Sequence, residues 1–174
     1  MLAIAWLAGC GSGPAPSGAA EVPAANETTT PTVEQLRNLT YYDIVPEPVA
    51  LEDGHWIGSP FVEGSDDRPV VQFVDDSARF GDMNGDGVDD AAVLLKVESG
   101  VAGAGTYVAV VGAPLGQPSN YGSAFVGKRS EVESIEVTGN GWIHLKLLEG
   151  AERWTKEWAL VDGKLKQVSA LVEQ

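Results

Sequence analysis

The sequence predicts a mainly β fold: a single antiparallel, sheet-rich domain, built as a sandwich or a strongly curved sheet, with one short N-terminal helix. Three observations carry this. Short runs rich in Val, Leu, Ile and aromatic residues recur from residue 32 onward, with turn signals roughly every eight to twelve residues. Two runs, Ala91 to Val97 (AAVLLKV) and Thr106 to Val111 (TYVAVV), are apolar at consecutive positions and so suit strands covered on both faces. Several runs are joined by Gly-Asn-Gly, Asp-Gly or Glu-Asp-Gly, which favour tight hairpins.

In chain order, residues 1–9 are apolar and end in Leu7, Ala8 and Gly9 before Cys10, which resembles the lipobox of bacterial lipoproteins. The expectation is a signal segment over 1–9 and a lipidated Cys10. The run carries no Lys or Arg, and ten residues are too few to span a bilayer. A truncated secretory signal or a short buried helix are the alternatives. Residues 10–31 then form a tether of Gly, Ala, Pro, Ser and Thr that cannot bury enough apolar area to fold. As a flexible coil it would span on the order of 25 Å. Cys10 is the only cysteine, so no intramolecular disulfide can form.

Residues 32–174 are long enough for one domain with its own core. Thr32, Glu34 and Gln35 open a helical stretch in which Val33, Leu36 and Leu39 make one apolar stripe. Val49 to Ile57 reads as a hairpin turning at Glu52-Asp53-Gly54, and Pro69 to Val74 and Ser77 to Phe80 as extended segments. AAVLLKV and TYVAVV form the central pair, across a turn from Glu98 to Gly105. Pro114 to Asn120 is a loop, followed by strands at Ser123 to Val126, Val132 to Thr138 and Trp142 to Leu148. The last of these has Ile143, Leu145 and Leu147 inward, alternating with Trp142, His144 and Lys146. Trp154 to Val161 and Leu165 to Val168 make the closing hairpin, for a total of eight to ten strands.

The chemistry concentrates in Gly81 to Val93, GDMNGDGVDDAAV. Oxygen-bearing side chains alternate at Asp82, Asn84 and Asp86; Gly87 follows at the sixth position and Asp90 at the ninth. Alternate spacing in a tightly turning backbone aims successive oxygens at one centre, and an all-oxygen set favours calcium over zinc or copper. Position twelve of an EF-hand would be a bidentate Glu and here is Val93. An ordinary acidic turn is the competing account, although three carboxylates within nine residues repel one another without a cation.

Between two extended segments, this stretch resembles the calcium loops of FG-GAP and VCBS-type repeats, D-x-[DN]-x-D-G-x-x-D. The resemblance implies a calcium loop over 82–90 with Asp82, Asn84, Asp86, Val88 (through its carbonyl) and Asp90 as ligands. Across roughly residues 70–148 the chain is similar to a group of uncharacterised exported bacterial proteins and lipoproteins. Some of these carry cysteines where this chain has Leu148 to Ala151, so no redox role transfers.

The formal net charge is −14, and most of it lies early: Asp43 to Asp90 holds thirteen acidic and two basic residues. That disfavours nucleic acid and direct adhesion to anionic lipid, leaving the acyl group on Cys10 as the membrane contact. No nucleophile elbow, H-E-x-x-H pair or phosphate loop is present. His55 and His144 read as structural, and Asp66-Asp67 and Asp75-Asp76 as turn or surface pairs. Trp56, Trp142, Trp154 and Trp158 are core candidates that would alternatively line a patch for a sugar or peptide. Two function classes follow. One is a membrane-tethered, calcium-stabilised, non-enzymatic envelope module that meets a protein or glycan partner; the other is a hydrolase of cell-wall or glycan material.

Overall fold

The computed structural model describes residues 27–99 and 104–173. The signal segment, Cys10 and all but the end of the tether lie outside the described residues, as do residues 100–103 of the turn between the two central strands. The described chain is mainly β. Helix α1 (Val33–Arg37) is followed by β1 (Thr40–Tyr41), β2 (Val49–Ala50), β3 (His55–Ile57), β4 (Val70–Phe73), β5 (Arg79–Gly81), β6 (Asp90–Glu98) and β7 (Gly105–Gly112). A 3-10 turn at Pro114–Gly116 leads to β8 (Ser119–Gly127), β9 (Glu131–Val137), β10 (Ile143–Glu149), β11 (Glu152–Val161) and β12 (Lys164–Val172). Every pairing is antiparallel.

Strands β3-β4-β6-β7-β8 form one sheet, with β5 also paired to β6, and β12-β11-β10-β9 form a second. The unbroken apolar runs of β6 and β7 are explained by what covers each face. Ala92, Leu94, Val108 and Val110 point towards the second sheet and pack with Ile135, Ile143, Leu145, Leu147 and Trp158. Ala91, Val93, Leu95, Ala109 and Val111 point the other way and pack under Leu36, Tyr41, Ile44, Val49 and Leu51. The architecture is thus a sandwich with a third, partial layer made by α1 and the small β1-β2 sheet. Each buried Val or Leu of the central pair contributes about 1.5–3 kcal/mol relative to exposure.

Helix α1 is set by a capping box: Gln35 N donates to Thr32 Oγ1 at 3.3 Å, and Thr32 N donates to Gln35 Oε1 at 2.8 Å. With only five helical residues the apolar stripe is narrower than expected. Leu36 is buried, Leu39 packs beyond the helix, and Val33 is exposed.

The hairpin expected over Val49 to Ile57 is corrected. The turn exists, with Asp53 and Gly54 at positive φ (48° and 80°) and a single bridge from Glu52 to His55. Beyond that bridge the arms separate: β2 pairs with β1, whereas β3 pairs with β4. Gly54 N donates to Arg37 O at 2.7 Å, and Arg37 Nη2 donates to Asp53 O at 3.0 Å, so the turn is pinned to the end of α1 as well as closed by its own Glu52–His55 bonds. Arg37 also pairs with Asp75 and lies over the Phe73 ring. The strand total among the described residues is twelve rather than eight to ten; the two-residue β1 has no counterpart in the sequence reading, and β2, β3 and β5 fall in segments read as extended but are pairings of only two or three residues.

Candidate metal centre

Residues 82–89 close the hairpin between β5 and β6, whose last pair is Gly81 with Asp90. The acidic loop is therefore carried by the central strand of the larger sheet. Met83, inside the loop, is buried between the two sheets and fixes it from below. Gly141, in the β9–β10 turn, presses on it from the side: a Cβ there would lie 2.6 Å from Asp82 O and 3.0 Å from Met83 Cα. Gly81 meets Val137 of β9 in the same way, at 2.6 Å. The loop thus touches both sheets.

Within the loop the side-chain oxygens turn inward. Asp82 Oδ1 accepts from Gly85 N (2.7 Å) and Asp86 N (3.2 Å), and its Oδ2 accepts from Gly87 N (3.0 Å). Gly85 and Gly87, at φ 83° and 86°, supply the left-handed turns that bring those N–H groups round. Asn84 Oδ1 accepts from Asp86 N at 2.8 Å, and Asp86 Oδ1 accepts from Val88 N at 2.9 Å. Asp90 is buried, and its Oδ2 accepts from Met83 N and Asn84 N, both at 3.1 Å. Asp89, between the last two positions of the pattern, is exposed.

The Asn84 amide lies at the centre. Its Nδ2 donates to Asp86 Oδ2 (3.1 Å) and Asp90 Oδ1 (3.2 Å) and reaches Tyr121 Oη at 3.5 Å, the outer limit of a hydrogen bond. An amide N–H pair thus stands where two carboxylates meet. The electrostatics reflect the crowding. Burial pushes the Asp90 carboxyl up to about 6; hydrogen bonds from Met83 and Asn84 N–H work against this, and the charges of Asp86 and Asp82 add to it. Tyr121 is raised, first by burial and then by the charge of Asp90.

Among the described residues, no three His, Cys, Asp or Glu side chains form a ready-made metal shell. Asp82 faces loop N–H groups, and the convergence is of two carboxylates on one amide. The donor chemistry nonetheless fits a hard cation. Oxygens of Asp86 and Asp90 share one neighbour, and a third oxygen, Asn84 Oδ1, would join them only if the amide turned and gave up the bond it accepts from Asp86 N. Two ionised carboxylates accommodate that oxygen only if a cation joins them.

The four tryptophans do not make one surface. Trp158 is fully buried between the sheets, where Ile143 of β10 faces it, and cannot serve a surface patch. Trp154 is half-buried beside the same cluster, with its Nε1 lacking a hydrogen-bond partner among the described residues and Lys156 Nζ 5.5 Å from its ring centre. Trp56 packs on the opposite core and Trp142 is exposed near the β9–β10 turn. Of the histidines, His144 Nε2 lies 3.0 Å from Glu157 Oε1 across β10 and β11, and His55 is exposed with Nδ1 3.1 Å from Asp53 O.

Two groups escaped sequence reasoning. Tyr121 belongs to the loop's surroundings although 37 residues separate it from Asn84, and no local pattern links them. Lys156, buried on β11, donates to Val126 O (2.9 Å) and Glu149 Oε1 (3.0 Å), and Ser130 Oγ donates to the same Glu149 oxygen at 2.9 Å. An apolar alternation around a lysine was its sole sequence signal. Comparison with family models, curated proteins and solved structures found no match.

Proposed function

We propose that the chain is a cell-envelope lipoprotein whose β domain, tethered to a membrane through Cys10, is a calcium-stabilised, non-enzymatic binding or structural module for a protein or glycan partner. The observation that carries the calcium reading is the convergence of Asp86 and Asp90 on the Asn84 amide, in a loop anchored to both sheets by Met83 and Gly141. Asp82, Asn84, Asp86, the Val88 carbonyl and Asp90 would hold the ion, with water completing the shell. A bound divalent ion would neutralise the carboxylates of a loop that touches both sheets.

The anchoring half of this reading stands on the lipobox resemblance of residues 7–10 and the composition of the tether. Among the described residues no helix is long and apolar enough to cross a membrane. Fractionation of cells expressing the full chain tests it. Wild type should stay with membranes through a salt wash, and Cys10→Ser should move to the soluble fraction with an unchanged melting temperature. A Cys10→Ser protein that remains membrane-bound would overturn the anchor. A calcium-induced rise in melting temperature tests the other half.

A further inference from the structure

The parting of β2 from β3 leaves two strand edges facing an opening. The bonds from Leu51 N to Leu39 O, Phe73 N to Gly54 O and Gly58 N to Pro69 O fix which residues each ladder uses. Counted from them in the observed registers, the main-chain N–H and C=O of Ala50 point away from β1, and those of His55 and Ile57 point away from β4. His55 uses its two groups on Glu52, at 3.0 and 2.9 Å. Were the hairpin to continue, Ala50 and Ile57 would be the next bonded pair. Instead a cavity of about 380 Å³ opens there, lined by Ala50, Glu52, His55, Trp56 and Ile57. Among the described residues no hydrogen bond takes up the outward main-chain groups of Ala50 or Ile57.

The lining defines what fits. Trp56, half-buried against the core, gives the cavity an apolar wall, and Ile57 and Val62 close by in the chain are 64% and 55% exposed. Residues 43–67 hold seven acidic residues and no Lys or Arg. Asp53 is paired with Arg37, whereas Glu52 lines the cavity. We infer that this opening accepts an extended, cationic peptide segment of another protein. The segment pairs with the outer edge of β3 at Ile57, sets an apolar side chain against Trp56 and places a Lys or Arg beside Glu52. Added strands gain affinity from main-chain bonds and selectivity from alternate side chains, and the acidic surroundings favour a cationic sequence. Residues 1–31 of the chain itself contain no Lys or Arg and do not match that charge. The inference names a surface for the protein partner of the reading above, and it depends on neither the calcium nor the anchor.

The test is titration of the isotope-labelled full chain with the peptide acetyl-Lys-Val-Lys-Val-Lys-Val-amide to millimolar concentration, followed by amide nuclear magnetic resonance. The acidic counterpart, with Glu in place of each Lys, is the control. The cationic peptide should shift the Ala50 and Ile57 amide signals and slow their hydrogen exchange, and the acidic one should not. Ile57→Pro removes an N–H that serves no ladder, a substitution edge strands accept. It should keep the melting temperature within a few degrees and weaken binding about tenfold or more, whereas Ile57→Val should bind as wild type does. Glu52→Gln should weaken binding about two- to fivefold and flatten its salt dependence; if Ile57→Pro fails to fold, Glu52→Gln and the amide signals decide. Ala50 and Ile57 signals unmoved by the cationic peptide, equal binding of both peptides, or a folded Ile57→Pro that binds as well as wild type would each overturn the inference. So would a peptide-free dimer that Ile57→Pro dissolves, since a second copy would then fill the opening. None of these outcomes touches the calcium or the anchor reading.

Discussion

Asn84 Nδ2 lies 3.2 Å from Asp90 Oδ1, so an uncharged amide occupies the position a cation would take beside a buried carboxylate. The amide partly screens the repulsion between Asp86 and Asp90 and lets the ion-free loop stay closed. Asn84→Asp removes that screen and supplies another ionised ligand. Its melting temperature in chelator should fall, by about 1 kcal/mol of stability or more, and its rise on adding calcium should exceed that of wild type. Equal melting of the two proteins in chelator would show that the amide has no such role.

Gly141 has φ 76°, and a side chain there meets the backbone of Asp82 and Met83. Gly141→Ala combines left-handed strain, about 1–3 kcal/mol, with displacement of the loop. We expect both a lower melting temperature and weaker calcium binding. Gly139→Ala, in the same turn but with nothing within 4 Å of its added Cβ, is the control. Similar losses from the two would mean that the contact with Asp82 is incidental.

If the loop holds calcium, acidity should affect the ion-free and ion-bound proteins in opposite ways. Asp90 has a folded-state pKa of about 6 against an ordinary value of 3.8, so between these values the folded state binds a proton that the unfolded state releases. Its contribution is present below about pH 4 and lost as pH rises through 6, amounting to at most about 3 kcal/mol. In chelator, the stability of wild type relative to Asp90→Asn should therefore fall as pH rises from 4 to 7. Calcium requires the ionised carboxylate, so calcium affinity should instead fall as pH drops below 6. Melting curves of both proteins across this range, with and without calcium, check both directions. Parallel curves in chelator would refute the assignment to Asp90.

The parts of the fold legible in the sequence were those decided by local pattern. AAVLLKV and TYVAVV declared themselves central because residues at successive positions were apolar, and both faces are indeed covered. The Gly139-Asn140-Gly141 and Asp162-Gly163 turns joined the strands expected of them. Where a distant group decides, the pattern was silent. The turn at Asp53 was visible, but its attachment to Arg37 and the separation of β2 and β3 into different sheets were not. In the loop, alternating oxygens and glycines were readable. Met83 as its buried anchor, Gly141 as its buttress and Tyr121 as its neighbour depend on strands that meet only after folding. The burial of Trp158 likewise follows from which face of β11 meets the larger sheet.

Calorimetric titration of wild type beside Asp86→Ala decides whether Asp82, Asn84, Asp86, Val88 and Asp90 hold calcium. Without the bidentate Glu at the twelfth position, wild type should bind one Ca²⁺ with Kd on the order of 10⁻⁴ to 10⁻³ M. At ten times that concentration the gain in stability should be about 1 to 2 kcal/mol. Asp86→Ala should show no binding while melting close to the ion-free wild type. Absence of calcium binding by wild type at millimolar concentration, or an Asp86→Ala protein that binds as well as wild type, would rule out calcium at this loop.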